Sequence, residues 1–463
     1  MSERVVVAAP PLGGSAEGVG FRLRAATALA SLLAPLNSTL IAVGLPVIRA
    51  DFGVGVGAMT LLVSIYLVAV AVTQPVGGRL GDAFGHLRVV AAGLVLLVAC
   101  SLAAALAWDF SFLLVARAVQ GIAAGLVAPN ATAFLYKRVP VSQLGRAMGS
   151  NGAAIASGAA VGPLLGGALL SVGDWQLLFL ANVPVALAAL WLTLSLAPDA
   201  GAGRRALVID LPSLGLLAAA FSGMVLLGAA SRLGNPALLA AGFLLLPTAM
   251  GLYWLRFRRT GAGVVDLRLF GSRNYAAAAS GTALANLVMY SVLIAMPVYL
   301  ADVRGAADHT VALLLFSTSV CMLGIGPLAG NWSDRFGRRP LILAGSLVVL
   351  GSALGLTAVL YDPPLALLAV PLVFVGVGMG ITSAPQSSTA LEAWPRERAG
   401  SASGSVSMMR YVGSVTGAAM IAAVLGRHPG EADFRLLFLL LSGFAVANVT
   451  ASLAVRDGPR RTV

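Results

Sequence analysis

The sequence has very little charge for its length. Of its 463 residues only 10% are charged, whereas 59% are hydrophobic, and the mean hydropathy is +0.92. Soluble domains carry about 25% charged residues, and a chain this apolar cannot bury its apolar surface in a water-soluble core. The composition therefore excludes a soluble globular protein and predicts that lipid surrounds the chain.

Cysteine and histidine are also scarce, with two and three residues respectively. Cys100 and Cys321 lie in apolar runs far apart, so neither a disulfide nor a metal site is predicted. His86, His309 and His428 fall in separate loops, and the spans contain no paired acids and no nucleophile with a partner base. A membrane enzyme or a non-transporting sensor is therefore a distant alternative, and no cofactor is predicted.

The net charge of +12 does not indicate a nucleic-acid partner, because the arginines are scattered among loops and form no binding module. The use of Arg over Lys, with abundant Ala and Gly, indicates a GC-rich bacterial gene and hence a bacterial plasma membrane. Residues 1–21 have no apolar core long enough for a signal peptide and contain Pro10 and Pro11, which predicts a flexible tail.

Apolar runs of membrane length follow one another along the chain. A helix needs about 20 apolar residues to cross the hydrocarbon core. About fourteen runs qualify, near residues 25–47, 58–77, 88–108, 111–135, 146–171, 175–197, 211–230, 236–255, 276–300, 310–332, 339–360, 364–387, 400–425 and 434–455. The even number places both termini on one side of the membrane.

A short polar hinge between two runs occurs twice. Residues 78–85 and 330–337 both have the pattern Gly-x-x-x-Asp-x-x-Gly, and their Asp residues, Asp82 and Asp334, are 252 positions apart. The repeat indicates an internally duplicated membrane protein. A half with six spans needs roughly 180 residues, so the spacing predicts two extra helices in the middle.

The expected fold is an all-α polytopic membrane protein with two six-helix bundles and two extra central helices. We expect a flexible tail (1–21), an N-terminal bundle (22–200), two inserted helices (201–260), a cytoplasmic interfacial segment (261–275), a C-terminal bundle (276–457) and a tail (458–463). With cytoplasmic termini, 23 Lys and Arg residues lie on the cytoplasmic side and 5 on the other. The positive-inside rule favours this orientation.

The two hinges resemble the loop signature of the major facilitator superfamily, and the inserted pair resembles its fourteen-span drug/proton antiporter branch. Other stretches similar to that branch occur in order at residues 36–39 (Leu-Asn-Ser-Thr), 117–121 (Arg-Ala-Val-Gln-Gly), 158–167 (Gly-x-x-x-Gly-Pro-x-x-Gly-Gly) and 182–184 (Asn-x-Pro). The resemblance implies alternating access and export of lipophilic, drug- or antibiotic-like molecules in exchange for protons, with the oligomeric state open. An uncoupled transporter, or one that moves lipids or anionic amphiphiles, is the closest alternative.

The hinge carboxylates have two expected roles. Asp82 and Asp334 stand before the next helix, where a carboxylate can cap free N–H groups. The resemblance implies in addition a conformational latch between the halves, formed by these acids and the nearby basic residues Arg88, Arg335, Arg338 and Arg339. The first hinge departs from the family pattern, because His86 and Leu87 replace basic residues.

Two arginines lie within spans. An unpaired charge there costs at least ~2.5 kcal/mol, so Arg117 and Arg410 must face protein or a wet cavity. Each is either tied to backbone carbonyls or lines a cavity that senses protons or binds substrate. The branch commonly has Asp where this chain has Asn37, and no acid lies deep in any span. A buried Arg without a buried acid suits neutral or anionic amphiphiles better than cations.

The fifth span and the cavity wall complete the predicted site. Small residues and Pro163 predict either a bending gate helix or a simple packing face, at Gly158, Gly162, Pro163, Gly166 and Gly167. Candidate cavity residues, each of which could instead be ordinary core or a helix bridge, are Gln120, Asn130, Asn286, Met289, Tyr290 and Tyr411.

Overall fold

The structure, a computed structural model, describes residues 16–54, 56–140, 143–197, 210–233, 235–261, 263–306, 308–357, 364–425 and 430–456. The predicted C-terminal tail and most of the predicted N-terminal tail lie outside the described residues. Residues 198–209, where the predicted N-terminal bundle ends and the predicted inserted segment begins, also lie outside them.

The described chain is helical throughout its long elements. In chain order these are α1 (Ala16–Phe52), α2 (Val56–Phe84), α3 (His86–Ala105), α4 (Phe110–Arg138), α5 (Leu144–Val172), α6 (Gln176–Leu180), α7 (Asn182–Leu194), α8 (Leu211–Leu233), α9 (Pro236–Thr260), α10 (Arg273–Val298), α11 (Asp308–Phe336), α12 (Arg338–Thr357), α13 (Leu365–Glu392), α14 (Ala399–Val424) and α15 (Glu431–Leu453). Short 3-10 segments occupy Leu267–Gly271 and Arg396–Arg398, and a π-helical turn occupies Tyr299–Val303.

Helices α6 and α7 together form one span, Gln176–Leu194. Within the described ranges there are thus fourteen helices of membrane length, which confirms the predicted fold. Thirteen of them are long and apolar enough to be candidate membrane spans. The remaining one, α14, is 26 residues long and has a first half rich in Ser and Gly.

Each repeated hinge ends on a glycine for a steric reason. Gly85 and Gly337 have φ values of 97° and 93°, in the region that side chains with a Cβ avoid. Each glycine is the single residue between two long helices, α2 and α3 in the first half and α11 and α12 in the second. The hinge is therefore a one-residue reversal, and both halves use the same backbone solution.

The helices pack in the same pattern in both halves. In the first half α1 packs on α5 and α7, α2 on α4, and α3 on α4 and α7. In the second half α10 packs on α14 and α15, α11 on α13, and α12 on α13 and α15. The halves meet along two helix pairs, α2 with α14 and α5 with α11, and we call these two pairs the seam.

The inserted helices α8 and α9 pack on one another, and α8 lies against α2 and α14. At one end Arg256 donates to Asp210, with Nη2 2.7 Å from Oδ1, which joins the start of α8 to the end of α9. The segment after α9 is tied in as well, since the Tyr253 hydroxyl is 2.9 Å from the carbonyl oxygen of Val265. Val264, Val265 and Leu269 are buried, so this part of the predicted interfacial segment 261–275 packs against protein.

Candidate functional site

The hinge carboxylates lie at the seam. Asp82 accepts hydrogen bonds from the backbone N–H groups of Gly400 and Ser401, at 2.9 and 2.8 Å, and from the Ser401 hydroxyl at 2.7 Å. Asp334 accepts from the N–H groups of Gly145 and Arg146, at 2.9 and 3.1 Å. Each half therefore places one carboxylate on the first turn of a helix from the other half.

These contacts correct the expected capping. Asp82 and Asp334 lie in the last turns of α2 and α11, and they cap α14 and α5 of the opposite half, not the helices that follow them in sequence. A carboxylate at a helix N-terminus stabilises it by ~0.3–1 kcal/mol through the helix dipole, and hydrogen bonds to an ionised acceptor are the stronger kind. The hydrogen bonds of the two carboxylates therefore join both seam pairs at the hinge end.

Glycines let the seam helices come close enough for this contact. Gly78 faces Gly400 and Gly145 faces Gly330, and a Cβ on any of them would clash with the backbone of the opposite helix. One turn further along α5, a Cβ on Gly149 would lie 2.5 Å from the carbonyl oxygen of Gly326. The first Gly of each hinge motif is thus a seam residue.

The four basic residues expected in the latch have different surroundings in the structure. Arg88 and Arg335 are exposed, and their side chains make no hydrogen bond or ion pair with any other described residue. Arg338 pairs with Glu392 of its own half, and Arg339 is exposed. At the two hinges, backbone N–H groups and the Ser401 hydroxyl of one half donate to the Asp carboxylate of the other half.

His86 lies beneath Asp82 and is fully buried. Its Nε2 is 3.6 Å from Asp82 Oδ1, and its Nδ1 is 2.8 Å from Asn130 Oδ1. Asn130 also donates to the carbonyl oxygen of Gly77 at 2.7 Å, so it joins α4 to α2 and α3. Asn130, a predicted cavity residue, therefore braces the first hinge from within its own bundle.

Arg117 forms the centre of a buried polar cluster in the first half. Its Nη1 donates to Asn37 Oδ1 and to Gln120 Oε1, both at 3.1 Å, and its guanidinium carbon is 4.2 Å from the centre of the Tyr66 ring. Asn182 donates to the same Asn37 oxygen at 3.3 Å. Amide oxygens and a ring face thus stabilise this cation where no described carboxylate reaches it.

A cavity lies between the two halves. Its walls come from α1, α4 and α5 on one side and from α10, α11, α13 and α14 on the other. Four predicted residues line it, namely Asn286, Met289, Tyr290 and Arg410. The other predicted residues lie outside its lining: Asn37, Arg117, Gln120, Asn130 and Tyr411.

The cavity also contains polar residues that the sequence analysis missed. They are amides and hydroxyls on α4, α5, α10, α11, α13 and α14, including Thr132, Asn151, Thr282, Thr318, Gln386 and Ser403. The Ser and Thr residues of α13 and α14 interrupt spans that are otherwise apolar. That interruption is the sequence feature that could have identified them.

Most of the glycines predicted for a gate helix in the fifth span face α1. A Cβ on Gly158 would meet the Leu32 carbonyl, and one on Gly162 would clash with Thr39. Gly166 is in ordinary contact distance of α1, and Gly167 faces open space. Three of the four glycines therefore form a packing face, as one of the two predicted interpretations requires, and Pro163 lies inside the uninterrupted α5.

A duplicated helical bundle around a central cavity, with matched carboxylates that bond each half to the other, defines a multi-pass membrane transporter. The chain belongs to the Major Facilitator Superfamily, whose family model matches residues 27–210 and 278–463. This is a family of secondary transporters, not of enzymes.

Curated relatives span most of the chain. It is 30% identical to the multidrug resistance protein Stp of Mycobacterium tuberculosis, over 86% of this chain and 75% of that one. It is 28% identical to the tetracenomycin C resistance and export protein of Streptomyces glaucescens, over 88% and 76%. It is 25% identical to the riboflavin transporter RibZ of Clostridioides difficile, over 84% and 85%.

A solved structure has the same fold. The proton:xylose symporter XylE superimposes with a TM-score of 0.71 at 15% identity, over 95% of this chain and 97% of that one. At this identity the likeness concerns the fold alone.

Proposed function

We propose that the protein exports lipophilic, drug- or antibiotic-like small molecules by alternating access across a bacterial plasma membrane. The observation that carries the proposal is the pair of reciprocal carboxylate caps at the seam, made by Asp82 on α14 and by Asp334 on α5. Such bonds can form in one pose of the two bundles and break in the other. The similarity to the exporters Stp and the tetracenomycin C protein supports the outward direction.

The latch is tested by flux in proteoliposomes with a fluorescent lipophilic dye. Asp82→Asn and Asp334→Asn weaken the cross-half bonds, so each is expected to change the rate of dye efflux several-fold. Asp109→Asn is the matched control, because Asp109 also caps a helix, accepting from Phe112 N at 2.9 Å, but within its own bundle. Equal effects from all three variants would contradict a latch role.

Exchange for protons is part of the proposal, through the family resemblance. Uncoupled transport is the second candidate, and a specific observation favours it. Asn37 stands where the antiporter branch has Asp, and no acid is among the described residues that line the cavity. Collapsing the pH gradient across the proteoliposome membrane decides between the two. A proton antiporter exports substrate against its concentration gradient and stops when the pH gradient is lost, whereas the downhill flux of an uncoupled transporter does not change.

A further inference from the structure

Among the described residues, one charged side chain lines the central cavity. Arg410 is the only Arg, Lys, His, Asp or Glu among the described residues that line it. Its guanidinium makes no hydrogen bond or ion pair with any described residue. A cation within the membrane is stabilised only by a partner or by water, so this group is open to a ligand.

Arg117, the other arginine within a span, has different surroundings from Arg410. Arg117 is fully buried, donates to two amide oxygens and lies over the Tyr66 ring. It does not line the cavity. The two arginines therefore differ in kind: the protein itself stabilises the charge of Arg117, whereas Arg410 faces the space between the halves.

Hydrogen-bond donors accompany Arg410. Ser403 and Ser407 lie on α14 seven and three residues before it and line the same cavity, as helical spacing allows. The Ser403 hydroxyl is buried and has no hydrogen-bond partner among the described residues. Gln386 turns its oxygen toward Thr282 at 3.5 Å, and its buried Nε2 has no described partner.

The wall also has an apolar and adaptable part. Met289, Met322 and Met379 line the cavity with Leu293 and Val406, and methionine repacks around ligands of different shape. Donors without a carboxylate stabilise an acceptor-rich or negatively charged group, and they repel a cation.

We propose that this cavity binds monoanionic amphiphiles, with the acidic group of the ligand on Arg410 and its lipophilic body against the methionine wall. The anion replaces the water that otherwise solvates the guanidinium. Gln386 and Ser403 donate to the same group. The proposal rests on the proposed transport function and specifies its substrate class.

The test is equilibrium binding of radiolabelled decanesulfonate to the full-length protein in zwitterionic nanodiscs. Unlabelled decanesulfonate, decyltrimethylammonium and decyl maltoside compete. We expect the anion to compete at least about tenfold better than the cation, since a tenfold ratio corresponds to about 1.4 kcal/mol, the scale of one charge-assisted hydrogen bond. Arg410→Gln should abolish that preference and Arg410→Lys should retain most of it.

Arg259→Gln is the matched control, because Arg259 is exposed at the end of α9, and it should bind as wild type does. Equal competition by the three decyl compounds, or an unchanged preference in Arg410→Gln, would overturn the proposal. Adding phosphatidylglycerol to the nanodiscs separates the sources of the anion: displacement of the sulfonate supports a lipid headgroup, and no displacement supports a free amphiphile.

The proposed binding site and the proposed transport can be refuted independently of one another. A protein that binds decanesulfonate through Arg410 but moves no amphiphile in proteoliposomes would refute the proposed export and leave the binding site intact. A protein that exports lipophilic dyes but binds all three decyl compounds alike would refute the anion site alone.

Discussion

At the scale of single residues, Asn37 is the acceptor on which the Arg117 cluster depends. Its Oδ1 receives hydrogen bonds from both Arg117 and Asn182. Gln120 is the second acceptor for Arg117. Its Nε2 donates to Ser101 Oγ at 2.9 Å, so Ser101 belongs to the same network. Removing the Asn37 oxygen therefore leaves two buried donors with fewer partners.

We predict that Asn37→Ala lowers the free energy of unfolding by about 1–3 kcal/mol, because the buried Arg117 charge loses one of its hydrogen bonds. Asn37→Asp keeps the acceptor and adds a charge opposite to that of Arg117, so it should be far less destabilising. Thermal unfolding of the purified variants measures both. Asn286→Ala is the control, because the Asn286 side chain donates to a carbonyl oxygen of its own helix, Thr282 O, at 2.8 Å. Equal losses in both alanine variants would refute the role of Asn37.

Asp210 carries a pH-dependent part of the stability. Its side chain is 7% exposed, and the hydrogen bonds from Arg256 hold its pKa below the usual value. A carboxylate with a lowered native pKa stabilises the fold above its unfolded pKa, near 4. That contribution is lost as the pH falls through the native pKa.

We therefore predict that wild type loses more thermal stability than Asp210→Asn when the pH is lowered from 6 to about 3. Glu397→Gln, at an exposed acid in the 3-10 turn before α14, is the control and should follow the wild-type curve. Parallel curves for wild type and Asp210→Asn would show that this ion pair contributes nothing.

At the scale of elements, α5 uses different glycines for different neighbours. Gly145 and Gly149 face α11 across the seam, whereas Gly158 and Gly162 face α1 within the bundle. One helix thus packs tightly on its own half over one stretch and on the opposite half over another. The proposed alternating access would separate the first of these stretches and leave the second in contact.

We predict that Gly149→Ala separates α5 from α11 at the hinge end, since its Cβ would lie 2.5 Å from Gly326 O. Overpacking of this kind costs about 1–3 kcal/mol. Disulfide formation between Arg146→Cys and Asn331→Cys, in a background without Cys100 and Cys321, should fall several-fold.

Gly167→Ala on the same helix is the control for that experiment, because a Cβ there meets nothing within 4 Å. Unchanged crosslinking in Gly149→Ala would mean that the seam tolerates the extra methyl group.

At the scale of the whole molecule, the two hinges should lie on one side of the membrane, together with both termini. The charge bias of the loops supports the cytoplasmic side. A membrane-impermeant maleimide applied to intact cells should therefore fail to label Arg88→Cys and Arg339→Cys, at the hinges. It should label Arg49→Cys and Arg435→Cys, at exposed positions near the other helix ends.

Labelling of either hinge cysteine from outside, in a background without the native cysteines, would refute this orientation. Labelling of one hinge and not the other would also contradict the observed fold, in which Asp82 and Asp334 hold the same end of the seam.

Composition, run length and the repeated hinge were sufficient to predict a duplicated membrane fold with two inserted helices. These features are local. Each span is an uninterrupted apolar run, and each hinge ends on a glycine because its backbone has a positive φ. The tertiary structure decided which helix each hinge carboxylate caps, and that Arg410 rather than Arg117 lines the cavity. Those outcomes depend on how helices far apart in sequence pack and on which way a side chain points around its helix, and neither is written in any local pattern.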